Sequence, residues 1–295
     1  MKMRLQIPLI LIVTGLFAVA CGADSAAPAD DPAAAVEELD SDSGAEVSEP
    51  ETASEMDPIR IGVQTNSVAP IVILENGNYS GFEIDLATEI VARLYGGAAS
   101  IEWVPISSAE RFTSLADDQI DMLVRNILHS VGREEAALFS GGYLLSGNGF
   151  LVVQDSGFAS FAELDGEKVA VPGYLSESLA ATAAALGYAY PPFTVEDDNA
   201  AQAAFLSGQA KAMYHDWVLL AGLMDSSTQS ILLDDSQLAP FGIALPLGEE
   251  FFRDEVDVVL SEMIADGSWQ SIFENWFDIA VPWNVDDMFA YPPAN

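Results

Sequence analysis

From Ile59 onward the chain alternates between two hydrophobic periods, and that alternation confines it to layers of strands and helices. Ile59, Ile61 and Val63 repeat every second residue, as in a strand. Ile84, Ala87, Ile90, Val91 and Leu94 then recur at helical spacing, and Gly96 follows as a stop. Ile101 and Trp103 alternate again, Ser107 and Glu110 stand at capping-box spacing before Phe112 and Leu115, and Met122-Leu123-Val124 reads as a short apolar strand. Phe150 to Val153, Lys168 to Val171, the helix-spaced Leu179, Ala183 and Leu186, and a strand near Lys211 to His215 predict a second, parallel sheet. A strand around Gly242 to Leu245 precedes two closing helices. One carries Phe252, Val256, Val259, Leu260 and Met263, the other Trp269, Ile272, Phe273 and Trp276, and these rings read as core.

The 295 residues allow one large or two modest domains. Half are hydrophobic, which excludes bulk disorder despite a net charge of −36. Forty-six acidic residues against ten basic ones would repel a phosphate backbone, so nucleic acid is not an expected partner. One cysteine and two histidines leave no internal disulfide, no Cys/His zinc cluster and no redox pair. Phosphate-cradling glycine motifs and a GxSxG elbow are missing, and a Ser-His-Asp triad would have to use His129 or His215. No cofactor and no metal is expected.

At the start of the chain, Lys2 and Arg4 precede an apolar run from Ile7 to Ala20, so residues 1–20 read as a secretion signal. Leu16-Phe17-Ala18-Val19-Ala20-Cys21-Gly22 resembles the lipobox of bacterial lipoproteins, with Ala18 where Leu is usual. That resemblance implies lipidation of Cys21 and an exported, membrane-anchored protein. Residues 22–57 hold twelve acids and no Lys or Arg, the composition of a disordered tether. With Cys21 it would span about 35 Å as a flexible coil. Beyond it, 34 acidic and eight basic residues still leave about −26, so the acidity is global and bears on solubility rather than on the ligand.

Five stretches, in order over about 220 residues, resemble the amino-acid type (family 3) of bacterial extracellular solute-binding proteins, the periplasmic ligand receptors of ABC importers. They are Gly81-Phe82-Glu83-Ile84-Asp85-Leu86-Ala87, the strand from Gln119 to Asn126, Arg133 through Phe139-Ser140 to Tyr143, Phe241 to Pro246, and Asp266-Gly267-Ser268 to Trp276-Phe277. Val124-Arg125-Asn126 and Gly147-Asn148-Gly149-Phe150 look closest to the general L-amino-acid subgroup. The resemblance implies an α/β fold of two lobes, the type II periplasmic-binding-protein fold, with two sheets and flanking helices joined by a hinge. One lobe would hold residues 58–143 plus 242–295 and the other 147–238. The chain would cross at 144–146 and 239–241, with the ligand in the interlobe cleft, where strand ends and helix N-termini converge.

Carried onto this sequence, the resemblance gives Arg133 the ligand α-carboxylate and Asp216 the α-ammonium, pairings that suit a planar guanidinium fork and a carboxylate. Taken alone, Arg133 reads as a surface ion pair with Glu134 or Glu135, and Asp216 as a helix N-cap before Trp217. His215 and Asn126 stand at positions bordering the ligand. Departures are as informative. Thr65 to Val68 supply no stacking ring, Ser108 replaces a further aromatic, and Leu128 replaces a hydroxyl, which makes the wall more apolar. Tyr174 offers a ring from the other side, and Ser176 at a helix start could still donate to a carboxylate. The expected function is capture of an amino acid or related zwitterion by a monomeric, non-catalytic lipoprotein for a membrane permease. An enzyme resembling cyclohexadienyl dehydratases, with Asp216 as acid, and a sensory receptor subunit are the alternatives.

Overall fold

The computed structural model describes residues 57–233 and 238–289. The secretion signal, the lipobox Cys21 and the acidic tether before Asp57 lie outside the described residues.

The first strand, β1 (Ile59–Gln64), is followed by a hairpin of β2 (Ile73–Glu75) and β3 (Asn78–Ser80) and by helix α1 (Phe82–Tyr95). Gly81 starts α1 at φ 126°, in the region that favours glycine, and a Cβ there would strike the backbone of Ile71. Gly96 ends it left-handed, its N–H on the carbonyl of Ala92. Next come β4 (Ile101–Ile106), α2 (Arg111–Ala116) and β5 (Met122–Leu123). Before α2, the Ser107 hydroxyl bonds the Glu110 carboxylate, while no side chain caps the helix itself. The capping-box spacing therefore closes a turn ahead of the helix.

Then follow β6 (Leu138–Phe139), β7 (Leu144–Ser146), β8 (Asn148–Val153) and β9 (Val169–Pro172). After them come α3 (Ser176–Leu186), β10 (Pro192–Val195), α4 (Asp198–Leu206), β11 (Ala212–Asp216) and α5 (Trp217–Leu223). The remaining described elements are β12 (Gln229–Leu232), β13 (Ala239–Phe241), β14 (Ala244–Leu245), α6 (Glu250–Ala265), α7 (Ser268–Trp276) and α8 (Val285–Met288).

The strands form two five-stranded sheets, ordered β4-β1-β5-β14-β6 and β10-β9-β11-β8-β12. β1 runs parallel to β4 and β5, while β14 runs antiparallel to β5 and β6. The second sheet is mixed rather than parallel as its sequence pattern suggests: β10, β9 and β11 run together, but β8 runs against β11 and β12. The reason is connectivity. β8 follows β7 after one residue and enters the sheet by direct extension, with no crossover helix to turn it parallel. Between the sheets, β7 and β13 pair antiparallel as a two-stranded ribbon, with Ser146 opposite Ala239 and Leu144 opposite Phe241.

Trp217, the first residue of α5, ties the second sheet to the core of the first. It is fully buried, its ring lies 5.3 Å from Phe277 and 5.4 Å from Trp283, and its Nε1 donates to the carbonyl of Leu145 at 2.8 Å. Phe82, Trp269 and Phe273 continue the same aromatic stack from α1 and α7, and the full burial of Trp269 and Phe273 agrees with their reading as core. Five residues on, Gly222 lets α5 touch the loop after β1. A Cβ there would meet the carbonyl oxygen of Ala69 and lie 3.3 Å from Pro70 Cδ.

Candidate functional site

A cavity of about 470 Å³ opens where these parts meet. The loop after β1 contributes Val68, and the loop after β5 contributes Asn126 and Leu128. The ribbon and its continuation supply Ser146, Gly147, Asn148, Ala239 and Phe241. His215 and Asp216 enter from the end of β11, with Val218 and Leu219 from the first turn of α5. Strand ends and a helix start converge here because the parallel strands of both sheets finish on this side.

Asp216 is both cap and wall. One carboxylate oxygen accepts the Val218 N–H at 2.9 Å, the N-cap bond of α5, and the other accepts the Ser146 hydroxyl at 2.5 Å. Burial pushes its carboxyl up to about 6, against those two hydrogen bonds. His215 is 8% exposed. Its Nε2 lies 2.8 Å from the Tyr174 hydroxyl and 3.5 Å from Asp198, and Tyr174 donates its proton to Asp198 at 2.6 Å. Burial holds the imidazole below its ordinary value, against the nearby Asp198 carboxylate, so it is neutral at pH 7.

Asn126 sits at φ 40°, a left-handed backbone that a buried carboxylate secures. Glu83 Oε1 accepts the Asn126 N–H at 2.5 Å and the Tyr143 hydroxyl, while its Oε2 makes no hydrogen bond. Burial pushes the Glu83 carboxyl up to about 7, against those donors and the Arg125 charge. Arg125 is itself buried, with Nε on the Ile106 carbonyl and Nη2 on Ser108 Oγ, each at 3.0 Å.

Of the residues singled out from sequence, Asn126, Leu128, His215 and Asp216 line the cavity, whereas Arg133, Ser108, Thr65, Tyr174 and Ser176 do not. Arg133 sits in the loop after β5, where its Nη1 donates to the Leu128 carbonyl at 2.5 Å. Among the described residues it forms no ion pair, and Glu134 bonds His129 instead. Burial, then the Arg111 charge, lowers the Arg133 pKa. Ser108 is engaged by Arg125, and Thr65 is exposed. Tyr174 is 64% exposed, its hydroxyl turned to Asp198 and His215, and Ser176 lies 3.4 Å from Thr194. Sequence reasoning gave no ligand role to Ser146, Asn148, Ala239, Phe241, Val218 or Leu219. The signal for Ser146, Asn148, Ala239 and Phe241 was positional, since they belong to or closely follow the segments by which the chain passes between the sheets, while Val218 and Leu219 follow Asp216 in the first turn of α5. Among the described residues no group of acids, His and Cys could hold a metal ion, and no helix is long and apolar enough to cross a membrane.

Residues 59–279 match the model of the bacterial extracellular solute-binding proteins, family 3. The chain is 29% identical to the ABC transporter glutamine-binding protein GlnH of Bacillus subtilis over 227 residues, 75% of this chain and 81% of that protein. It is 34% identical over 137 residues to the glutamate/glutamine/aspartate/asparagine-binding protein BztA of Rhodobacter capsulatus, 45% of this chain and only 40% of that protein's length. The general L-amino acid-binding periplasmic protein AapJ of Rhizobium johnstonii is 26% identical over 206 residues, 67% of this chain and 60% of the relative. Among solved structures, an ancestral cationic amino acid solute-binding protein superposes with a TM-score of 0.65 at 26% identity, covering 75% of this chain and 96% of that one. The unliganded, open L-cystine solute receptor of Neisseria gonorrhoeae, at 17% identity and a TM-score of 0.67, shares the fold, covering 77% and 95%.

Proposed function

Because the chain belongs to the bacterial extracellular solute-binding proteins, family 3, we propose that it is the substrate-binding component of an ABC importer, capturing an amino acid in the cavity between its sheets and presenting it to a membrane permease. The observation that carries this reading is the convergence of β5, β11 and the β7–β13 ribbon on one cavity, where Asp216 is the only carboxylate among the described lining residues. Asp216 takes the ligand α-ammonium. Arg133, five residues along the loop from Leu128, exchanges its bond to the Leu128 carbonyl for the α-carboxylate.

In this reading residues 58–143 with 242–295 form one lobe, 147–238 the other, and the ribbon at 144–146 and 239–241 is the hinge. Closure of the lobes reports occupancy to the permease. The protein is exported as a monomer, and lipid on Cys21 anchors it while the acidic segment holds the domain clear of the membrane. Capture is non-catalytic and needs no cofactor. Replacing Cys21 by Ser and asking whether the protein leaves the membrane fraction tests the anchor.

A second reading has one observation in its favour. A solved ancestral amino acid-binding protein described as a precursor of cyclohexadienyl dehydratase resembles the chain at 26% identity and a TM-score of 0.54, covering 75% of this chain and 95% of that one. Asp216, pushed up to about 6, would be the proton donor. Turnover of prephenate or arogenate by the purified protein would establish it, and its absence leaves binding alone.

The direct test of capture is thermal unfolding with a panel of amino acids, beside the Arg133→Ala variant. A ligand that binds only the native state at one hundred times its Kd adds about 2.7 kcal/mol. A rise in midpoint that vanishes in Arg133→Ala supports the clamp. No shift with any amino acid in a folded sample rejects it.

A further inference from the structure

Glu83 does not line the cavity, but its carboxylate holds two of the segments that do. It is the second residue of α1, and it is fully buried. Its Oε1 accepts the Asn126 N–H at 2.5 Å and, on the same atom, the Tyr143 hydroxyl. Asn126 stands in the loop after β5 and lines the cavity. Tyr143 immediately precedes β7, the ribbon strand whose last residue, Ser146, lines it too.

Both segments are anchored again on β13 and the residue after it. The His129 N–H donates to the Pro240 carbonyl at 2.8 Å, the Gly242 N–H to the Ile127 carbonyl at 3.1 Å, and Leu128 pairs with Phe241. Tyr143 donates its N–H to the Phe241 carbonyl at 2.9 Å, and its own carbonyl accepts from Trp269 Nε1 at 2.8 Å. Three stretches far apart in the chain are thus tied together beside one carboxylate oxygen, and they supply Asn126, Leu128, Ser146 and Phe241 to the cavity. The oxygen itself has a firm base. Phe82, the residue before Glu83, packs edge-on to Trp269, Phe273 and Phe277, which fixes the first turn of α1. A side chain held by a packed helix can hold a loop in one conformation, where the loop alone would lose entropy on ordering around a ligand.

Native stability does not account for a carboxyl at this place. Burial pushes it up to about 7, so its ionised form is disfavoured in the folded protein, and Oε2 is left without a hydrogen bond. What the residue accomplishes lies in the two donors on its other oxygen. We infer that Glu83 is a positioning residue for capture: Oε1 sets the loop after β5 against the ribbon strand β7, and so fixes the wall that Asn126, Leu128, Ser146 and Phe241 present to the ligand. The inference rests on the amino-acid-capture reading and goes beyond it, since that reading gives Glu83 no part.

The experiment is calorimetric titration of the purified, ligand-stripped protein with glutamine, glutamate, leucine and arginine, repeated on Glu83→Gln, Glu83→Ala and Tyr143→Phe well below each unfolding midpoint. Glu83→Gln keeps an oxygen for both donors and should hold the Kd within about threefold of the parent protein. Glu83→Ala leaves Asn126 and Tyr143 without their acceptor, and Tyr143→Phe removes only the tie to the ribbon. Each should weaken the Kd by about tenfold or more. A residue that braced the fold and nothing else would lower the midpoint and leave the Kd alone. If Glu83→Ala does not fold, Tyr143→Phe, which keeps the ring, decides. Folded Ala and Phe variants that bind within about threefold of the parent overturn the inference, as does a Gln variant as weak as the Ala variant, and both results leave amino-acid capture standing. If the parent protein unfolds cooperatively and binds none of the four amino acids, their capture falls, and the inference falls with it.

Discussion

Nη1 of Arg133 and the carbonyl oxygen of Leu128 lie 2.5 Å apart, so the guanidinium closes its own loop beside the residue that walls the cavity. It is a cation partly removed from water and without an ion pair among the described residues, and the proposed capture reading gives its charge to the ligand α-carboxylate.

Arg133→Ala should therefore weaken amino-acid binding by about 2 kcal/mol or more, roughly thirtyfold, while changing ligand-free stability by no more than about 1 kcal/mol. Arg133→Lys should recover little, since an ammonium lacks the planar fork. Titration calorimetry beside urea unfolding separates the two quantities. A large loss of stability with unchanged affinity would make Arg133 a loop brace only.

Asp216 sets a pH dependence with a definite sign. Its carboxyl is raised by burial to about 6, above the unfolded value near 3.8, so the native state holds the proton more tightly than the unfolded chain. Its contribution to stability is full below about pH 4 and is lost as the pH rises through 6. Asp216→Asn should flatten that part of the stability curve. Affinity runs the opposite way, because the ligand ammonium needs the ionised carboxylate, and should fall as the pH drops below about 6. Unfolding midpoints and Kd values between pH 4 and 8 check both slopes.

Glu83 repeats the sign at a different place. Burial raises it to about 7 against donors from Tyr143 and Asn126 and the charge of Arg125, so stability is lost as the pH rises from about 4.5 to 7. Glu83→Gln keeps an acceptor for Asn126 and Tyr143 and should remove that slope. Glu83→Ala strands both donors and should cost about 2–4 kcal/mol. Equal unfolding curves for Gln and Ala variants would deny the carboxyl its role in holding Asn126 left-handed.

Gly222→Ala tests the contact between α5 and the loop after β1. A methyl group aimed at the Ala69 carbonyl forces backbone to shift, with an expected loss of about 1–3 kcal/mol in stability. Because Val218 and Leu219 share the helix and Val68 adjoins Ala69, ligand affinity should fall as well. Unchanged affinity in the variant would detach the contact from the cavity wall.

Much of the layering could be read without coordinates. Ile59, Ile61 and Val63 alternate and form β1, and the helical spacing from Ile84 to Leu94 with Gly96 behind it is α1. Such patterns are local, and local sterics and burial of one face suffice to write them. The direction of β8 was not legible, because Phe150 to Val153 reads the same in a parallel or an antiparallel ladder. Nor was Trp217 legible as a tie between two sheets. Its sequence neighbours say helix, and only the positions of Phe277 and Trp283, at least sixty residues on, give it an environment.

The site shows the same division. Asp216 has the residue type and position of both a cap and a ligand group. It takes the capping bond and lines the cavity at once, because the strand end that carries it also starts a helix. Tyr174 and Ser176 stand in the right motif, but their hydroxyls turn to Asp198 and Thr194. Composition, period and ordered motifs determined the fold class, the family and the chemical types offered to a ligand, since each of these is a property of residues near one another in the chain. Tertiary structure alone decided which of those residues share one cavity and how far burial moves the carboxyls of Asp216 and Glu83. Those properties depend on desolvation and contact between segments far apart in sequence, which no local pattern records.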